Sequence, residues 1–372
     1  MRLFFSTLSV MIMLLIAPSF AHGADLLEPF SLSFETGKIE QSDGREDLYL
    51  LSVQPTYSAG RISATLGINF YAYRDGKMRD GGNDSLVIES LTYDDEDKFR
   101  FHYGELENLT FGSGFIVSNY RSNIRGQVPL NRQKGFEIDL VGPSSYIKAF
   151  GTKTNLIGLR AIRNFGLFNV GATAVADSNP DFEEVGIDAE FLLIPDKITL
   201  YAEGAKIIDY GAGYAFGAIL SPHKYVDAKV EYRGFDEDFV PGIVDEHYEL
   251  RPAFDRMSYN TGTWGLYTSL DLFKGEFISG TVTYEDYEDI QSRITCSGTA
   301  NLTSRIRGEL FYAEENYLPD QYGLIEQDKL ARASMYIKFS KKGEFIIDYY
   351  NAFDDKPSGL ESFAFKTKFR IF

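Results

Sequence analysis

Four histidines are the natural candidates for proton transfer, and their surroundings narrow the chemistry at once. His22 falls beside a cleavage-type sequence, His223 falls in a short turn, and His102 sits two positions from Arg100. His247, near Asp245, Glu246 and Ser258, has the residue types of a nucleophilic hydrolase. A solvated loop histidine is the plainer reading of that segment, and no catalytic residue is assigned. The single cysteine, Cys296, allows no intramolecular disulfide and has no metal-ligand spacing around it. It reads as a small apolar residue facing lipid. No glycine-rich phosphate loop or haem-attachment pair occurs, so neither a cofactor nor a metal is expected.

The charged residues carry a different signal, because many recur at every second position. Glu137, Asp139, Glu184, Asp188, Glu190, Glu203, Asp227 and Glu231 alternate with apolar neighbours in the middle of the chain. Arg293, Arg305, Arg307, Arg332, Lys338, Lys366, Lys368 and Arg370 do so toward the end. Lys148, Arg160, Glu309 and Asp348 are exceptions to this division. A two-residue period places such side chains on one face of a strand and the apolar ones on the other.

The elements that must carry them are therefore strands. In Gly60 to Tyr73, Ile62, Ala64, Leu66, Ile68, Phe70 and Ala72 share one face, and Arg61, Ser63, Thr65, Asn69 and Tyr71 share the other. Trp264, Leu266, Thr268, Leu270 and Leu272 alternate with Tyr267, Ser269 and Asp271 in the same way. Short turns, such as Pro195-Asp196 and Pro222-His223, interleave with long polar connections, such as 74–83, 236–260 and 317–327. This asymmetry, with 24 Tyr and 30 Phe in a chain of slightly polar mean hydropathy, predicts an all-β fold. The expected form is a single transmembrane antiparallel up-and-down β-barrel of about 20 strands, with 16 or 18 also compatible.

The N-terminus predicts the route to the membrane. Arg2 precedes a nearly continuous apolar run from Leu3 to Ala17, followed by Ser19-Phe20-Ala21 and Ala21-His22-Gly23 at signal-peptidase spacing. Residues 1–23 are thus expected to be a cleaved signal peptide, with 25–372 forming one barrel domain. The net charge of −17 excludes nucleic acid as an expected partner.

At the other end, Phe363-Ala364-Phe365-Lys366-Thr367-Lys368-Phe369-Arg370-Ile371-Phe372 resembles the C-terminal signal strand of Gram-negative outer-membrane barrel proteins. Phe372 stands one position out of step with Phe363, Phe365, Phe369 and Ile371. The resemblance to porin-like barrels implies the outer membrane as location, with its lipid and the barrel assembly machinery as partners.

Two features then bear on function. The charged faces predict an acidic wall opposite a basic one across a water-filled lumen, or else charges that pair and fill the interior. Residues 107–134, unusually apolar and basic for an outer loop, include Phe115, Tyr120, Arg121, Arg125 and Arg132. They form a candidate constriction loop folded into the lumen. The expected function is a porin-like channel for small hydrophilic solutes. The alternative is a plugged or partner-bound structural barrel without an open pore.

Overall fold

The computed structural model describes residues 30–39, 48–73, 75, 77, 86–95, 98–122, 133–178, 181–246, 248–249, 261–274, 277–288, 290–315, 328–340, 343–353 and 360–369. The signal segment, His247, Arg125, Arg132 and Arg370 lie outside these residues.

The described chain is built from strands. The first five are β1 (Phe30–Ile39), β2 (Leu48–Ala59), β3 (Ile62–Tyr73), β4 (Leu86–Asp95) and β5 (Phe99–Gly104). Two short strands, β6 (Leu109–Phe111) and β7 (Val117–Tyr120), pair with each other outside the wall sheet, and Val117 of β7 also bridges Val244. The wall resumes with β8 (Gly135–Gly142), β9 (Ser145–Thr152), β10 (Leu156–Asn164), β11 (Phe168–Ser178), β12 (Asp181–Ile194), β13 (Ile198–Ile207) and β14 (Ala212–His223). It continues through β15 (Val226–Glu237), β16 (Thr261–Lys274), β17 (Ile278–Tyr287), β18 (Ile290–Thr303) and β19 (Ile306–Glu315). It ends with β20 (Asp328–Lys338), β21 (Gly343–Phe353) and β22 (Leu360–Phe369).

Each wall strand pairs antiparallel with its neighbours in the chain, and β5 pairs directly with β8. The last strand returns to the first, with Leu32 opposite Phe369 and Gly37 opposite Ala364. A 20-stranded sheet is thereby closed into a barrel. Closure gives every wall strand a partner on both sides, as a sheet in hydrocarbon requires.

The two faces are chemically opposite. Ile157, Leu159, Val185, Ile187, Phe216, Val230, Leu266 and Leu310 are exposed on the outside, Ile187 at 71%. Each such side chain is worth roughly 1.5–3 kcal/mol when taken out of water, so the outer face is made for lipid. Tyr214, Tyr232 and Trp264 form a row of neighbouring rings near the rim of the long connections, with centroids 6.4 and 6.0 Å apart. Phe168 stacks on Phe191 at 4.8 Å near the rim of tight turns. Aromatic residues thus flank the apolar band at both rims, as in transmembrane barrels. Cys296 lies opposite Val282 and shares the outward face with Ile294. The main buried apolar cluster lies inside the barrel, where the chain between β5 and β8 turns inward.

Candidate functional site

The lumen is built by three groups of residues: an inward segment at 105–122, a second segment at 238–249, and the strand faces around them. The inward segment needs an unusual backbone to turn back on itself. Gly112 has φ +60° and Gly114 φ +90°, a region open to glycine and costly for residues with a Cβ. A Cβ on Gly112 would also lie 3.0 Å from Glu203 Oε1 and 3.1 Å from Arg160 Nη1. Glycine therefore allows the turn to touch the wall.

Wall side chains hold it there. Ser113 donates to Glu203 Oε2 through its backbone N–H at 3.0 Å and its hydroxyl at 2.5 Å. Lys229 Nζ donates to Ser113 O at 2.5 Å. Phe111 and Tyr120 pack on Phe150 of β9, and Phe115 packs on Phe239 of the second segment. Gly213 of β14 makes room, because a Cβ there would meet both the Phe239 and Phe115 rings.

The two segments also bond to each other through the backbone. Gly242 N–H donates to Phe115 O at 2.7 Å, and Ser118 N–H donates to Val244 O at 2.9 Å. Tyr120 donates its hydroxyl proton to Glu249 Oε1 at 2.5 Å. Tyr248 donates to Asp177 Oδ2 at 2.7 Å. Burial, then the charge of Glu249, pushes the Tyr120 phenol well above its ordinary pKa, so it stays a donor. Burial likewise raises the Glu249 carboxyl to about 6, against hydrogen bonds from Tyr120, Gln133 and Thr154 that favour its anion. Together the segments fill one side of the lumen with apolar side chains: Phe111, Phe115, Ile116, Val117, Phe239, Ile243 and Val244 are fully buried.

The acidic residues singled out in sequence lie on interior strand faces, but they are not a bare acidic wall. Lys148 reaches Glu137 at 2.5 Å and Asp139 at 3.9 Å. Asp139 also accepts from Tyr146. Arg160 grips Asp188 with two bonds of 2.7 and 2.8 Å and donates to Thr173. Glu231 is held by Lys229, Arg233 and Tyr201. Glu190 accepts from Asn169 at 3.0 Å, and Asp227 is half-buried on β15. Glu184 is fully buried, with neither carboxyl oxygen hydrogen-bonded among the described residues.

The basic residues divide. Arg293 is buried and bonds to Asp245 at 3.1 Å and Glu246 at 2.8 Å, tying the second segment to β18. Arg307 pairs with Glu309 at 3.1 Å and lies over the Tyr336 ring. Arg332 is buried over Phe311, with its guanidinium 5.0 Å from the ring centroid. Lys338 is exposed at the end of β20. Lys366 and Lys368 stand on β22, in register with Glu35 and Ser33 of β1. Arg305 corrects the expectation, since it occupies the exposed turn between β18 and β19 and not a strand face. The turn accounts for this: Thr303 Oγ1 accepts from the N–H groups of Arg305 and Ile306, ending the alternation one residue before Ile306. The interior is thus a set of local ion pairs and not two opposed sheets of charge. At these separations, pairing is favoured over two uncompensated walls in a confined space.

Opposite the apolar insert, a cavity of about 460 Å³ remains. Glu107, Asn108, Asn119 and Arg121 border it from the insert. Ser279, Thr281, Ser297, Thr299, Glu309, Phe311, Arg332 and Ser334 border it from β17 to β20. The serines and threonines were not among the site residues expected from sequence. Their signal was present as hydroxyl residues at positions 279, 281, 283, 295, 297 and 299. Small side chains on an inward face leave space, whereas long charged ones fill it. No group of His, Cys, Asp and Glu among the described residues is arranged to hold a metal ion.

No protein-family model matches the chain, and no curated protein matches it in sequence. Among solved structures it is similar to the outer membrane protein opdK from Pseudomonas aeruginosa, at 8% identity and TM-score 0.44 over 91% of this chain and 97% of that one. A BenF-like porin from Pseudomonas fluorescens Pf-5 is similar at 7% identity and TM-score 0.43, over 91% and 96%. Wzi of Escherichia coli, described as a carbohydrate-binding β-barrel involved in capsule assembly, is similar at 10% identity and TM-score 0.41, over 93% and 85%.

Proposed function

We propose that this protein is a passive channel of a Gram-negative outer membrane that lets small hydrophilic solutes cross through the barrel interior. The observation that carries the reading is the polar cavity of about 460 Å³ left between the insert and the inner faces of β17 to β20. An apolar exterior and a charged, partly open interior are the arrangement a solute path through lipid requires. Selectivity in this reading comes from the width beside the insert and the groups lining it. No catalytic step is involved.

A second reading is favoured by one specific observation. The apolar side chains of the insert are buried, and its two segments are fastened to each other and to the wall, which suits a barrel permanently plugged by its own chain. Reconstitution separates the two. Purified protein refolded in detergent and added to planar bilayers is expected to give discrete conductance steps. Uniformly silent bilayers, with barrel folding verified in the same sample, would leave the plugged reading.

A further inference from the structure

The open side of the lumen is lined by groups that suit one class of solute more than others. Its formally charged members balance: Glu107 and Glu309 against Arg121 and Arg332. They are also engaged with neighbours. Glu309 is paired with Arg307 and accepts from Tyr336 at 2.9 Å. Arg121 donates to Asn108 and lies 5.6 Å from the centre of the Phe311 ring, on which Arg332 also lies. A charged solute entering here would lose water to meet groups already engaged with neighbours, which is less favourable for a confined ion than for a neutral solute.

Beside Phe273 and Phe311, the wall carries a field of short hydroxyl side chains. Ser279 and Thr299 share a hydrogen bond of 2.6 Å across β17 and β18. Thr281 donates to Asp271 at 2.5 Å, which leaves the hydroxyl lone pairs of Thr281 free to accept. Ser297 and Ser334 extend the field onto β18 and β20, with Asn108 and Asn119 facing from the insert. Each hydroxyl both donates and accepts, so it can exchange a bond with water for one with a solute hydroxyl at nearly constant energy. A cavity of this volume lies at the small end of the ~300–1,000 Å³ usual for small-molecule sites.

We propose that this cavity makes the channel selective for uncharged polyhydroxyl solutes of about single-sugar size. The inference rests on the channel reading above. Its residues of interest are Thr281, Ser297 and Thr299, whose hydroxyls face the path from adjacent strands.

The test uses the full mature chain in proteoliposomes, with uptake of glucose, glucosamine and glucuronate compared at equal concentration. These probes share a ring size and differ in charge. Glucose is expected to enter several-fold faster than either charged probe, and the reversal potential in a potassium chloride gradient is expected to stay close to zero. The triple variant Thr281→Val, Ser297→Ala, Thr299→Val is expected to slow glucose several-fold, by a larger factor than it lowers single-channel potassium chloride conductance. Entry of glucosamine or glucuronate as fast as glucose would overturn the selectivity while leaving the channel intact. So would a triple variant with unaltered glucose uptake. Absence of uptake for all three probes together with absence of conductance would overturn the channel reading itself, and this inference with it.

Discussion

Arg160 illustrates how a single side chain in the lumen acts. Its guanidinium meets Asp188 two strands away and Thr173 between them, with both ion-pair members nearly excluded from solvent. Removing the cation would strand a buried carboxylate, a loss of about 3–5 kcal/mol for a buried pair broken on one side. Arg160→Met is therefore expected to lower the midpoint of denaturant unfolding clearly, as read by the gel-mobility shift between folded and heated protein. Adding Asp188→Leu to it should recover most of the loss, because two apolar residues need no countercharge. A double variant as unstable as the single one would show that Arg160 acts by packing and not by pairing.

Among elements, the two inward segments are hydrogen-bonded to each other, and Glu249 is where a response to acid is expected. Its carboxyl, lying by Tyr120, Gln133, Thr154 and the charge of Asp177, is raised to about 6 from the ordinary 4.5 by burial first. The docked arrangement therefore binds a proton more tightly than an undocked one does. The stabilisation is fully present below about 4.5 and is lost as pH rises through about 6. Its size is at most about 2 kcal/mol. Amide hydrogen exchange across 105–122 is expected to slow as pH falls from 7 to 5, after correction for the intrinsic rate. Glu249→Gln should flatten that dependence, and a wild-type profile flat over this interval would remove Glu249 from the role.

At the scale of the whole molecule, closure of β22 on β1 makes the fold cooperative around the ring, since no strand of the described wall is left as an edge. The same closure keeps both ends of the described chain at the rim of tight turns, where β1 begins and β22 ends. The chain before β1 carries the signal-type sequence, with small residues at Ala21 and Gly23. Mature protein recovered from outer membranes is expected to begin between His22 and Asp25, as N-terminal sequencing would read. Recovery of Met1, or fractionation with the inner membrane, would contradict export by this route.

Period-two alternation by itself determined the barrel and most of its interior faces. Ile62 to Tyr73 and Thr261 to Lys274 have the faces their sequences imply, because a strand between lipid and water leaves each side chain only two destinations. The apolar content of 107–134 reads as unsuited to water; of its described residues, Phe115 and Tyr120 are buried inside the barrel. Sequence did not disclose its companion, the 238–249 segment, whose acidic character reads as an ordinary outer loop until Arg293 is seen beside Asp245 and Glu246. Nor did it disclose the floor that receives both, although Gly186, Ala205, Gly213 and Ala215 mark it with small residues on inward faces. The pairing of charges and the position of the remaining cavity were decided by tertiary structure alone. Alternation places a side chain on a face, but which partner it meets depends on register between strands and on a loop arriving from far along the chain. The hydroxyl-lined side stays open for that reason: short side chains line β17 and β18, while the insert is held against β9 to β15 by Phe150, Glu203 and Lys229.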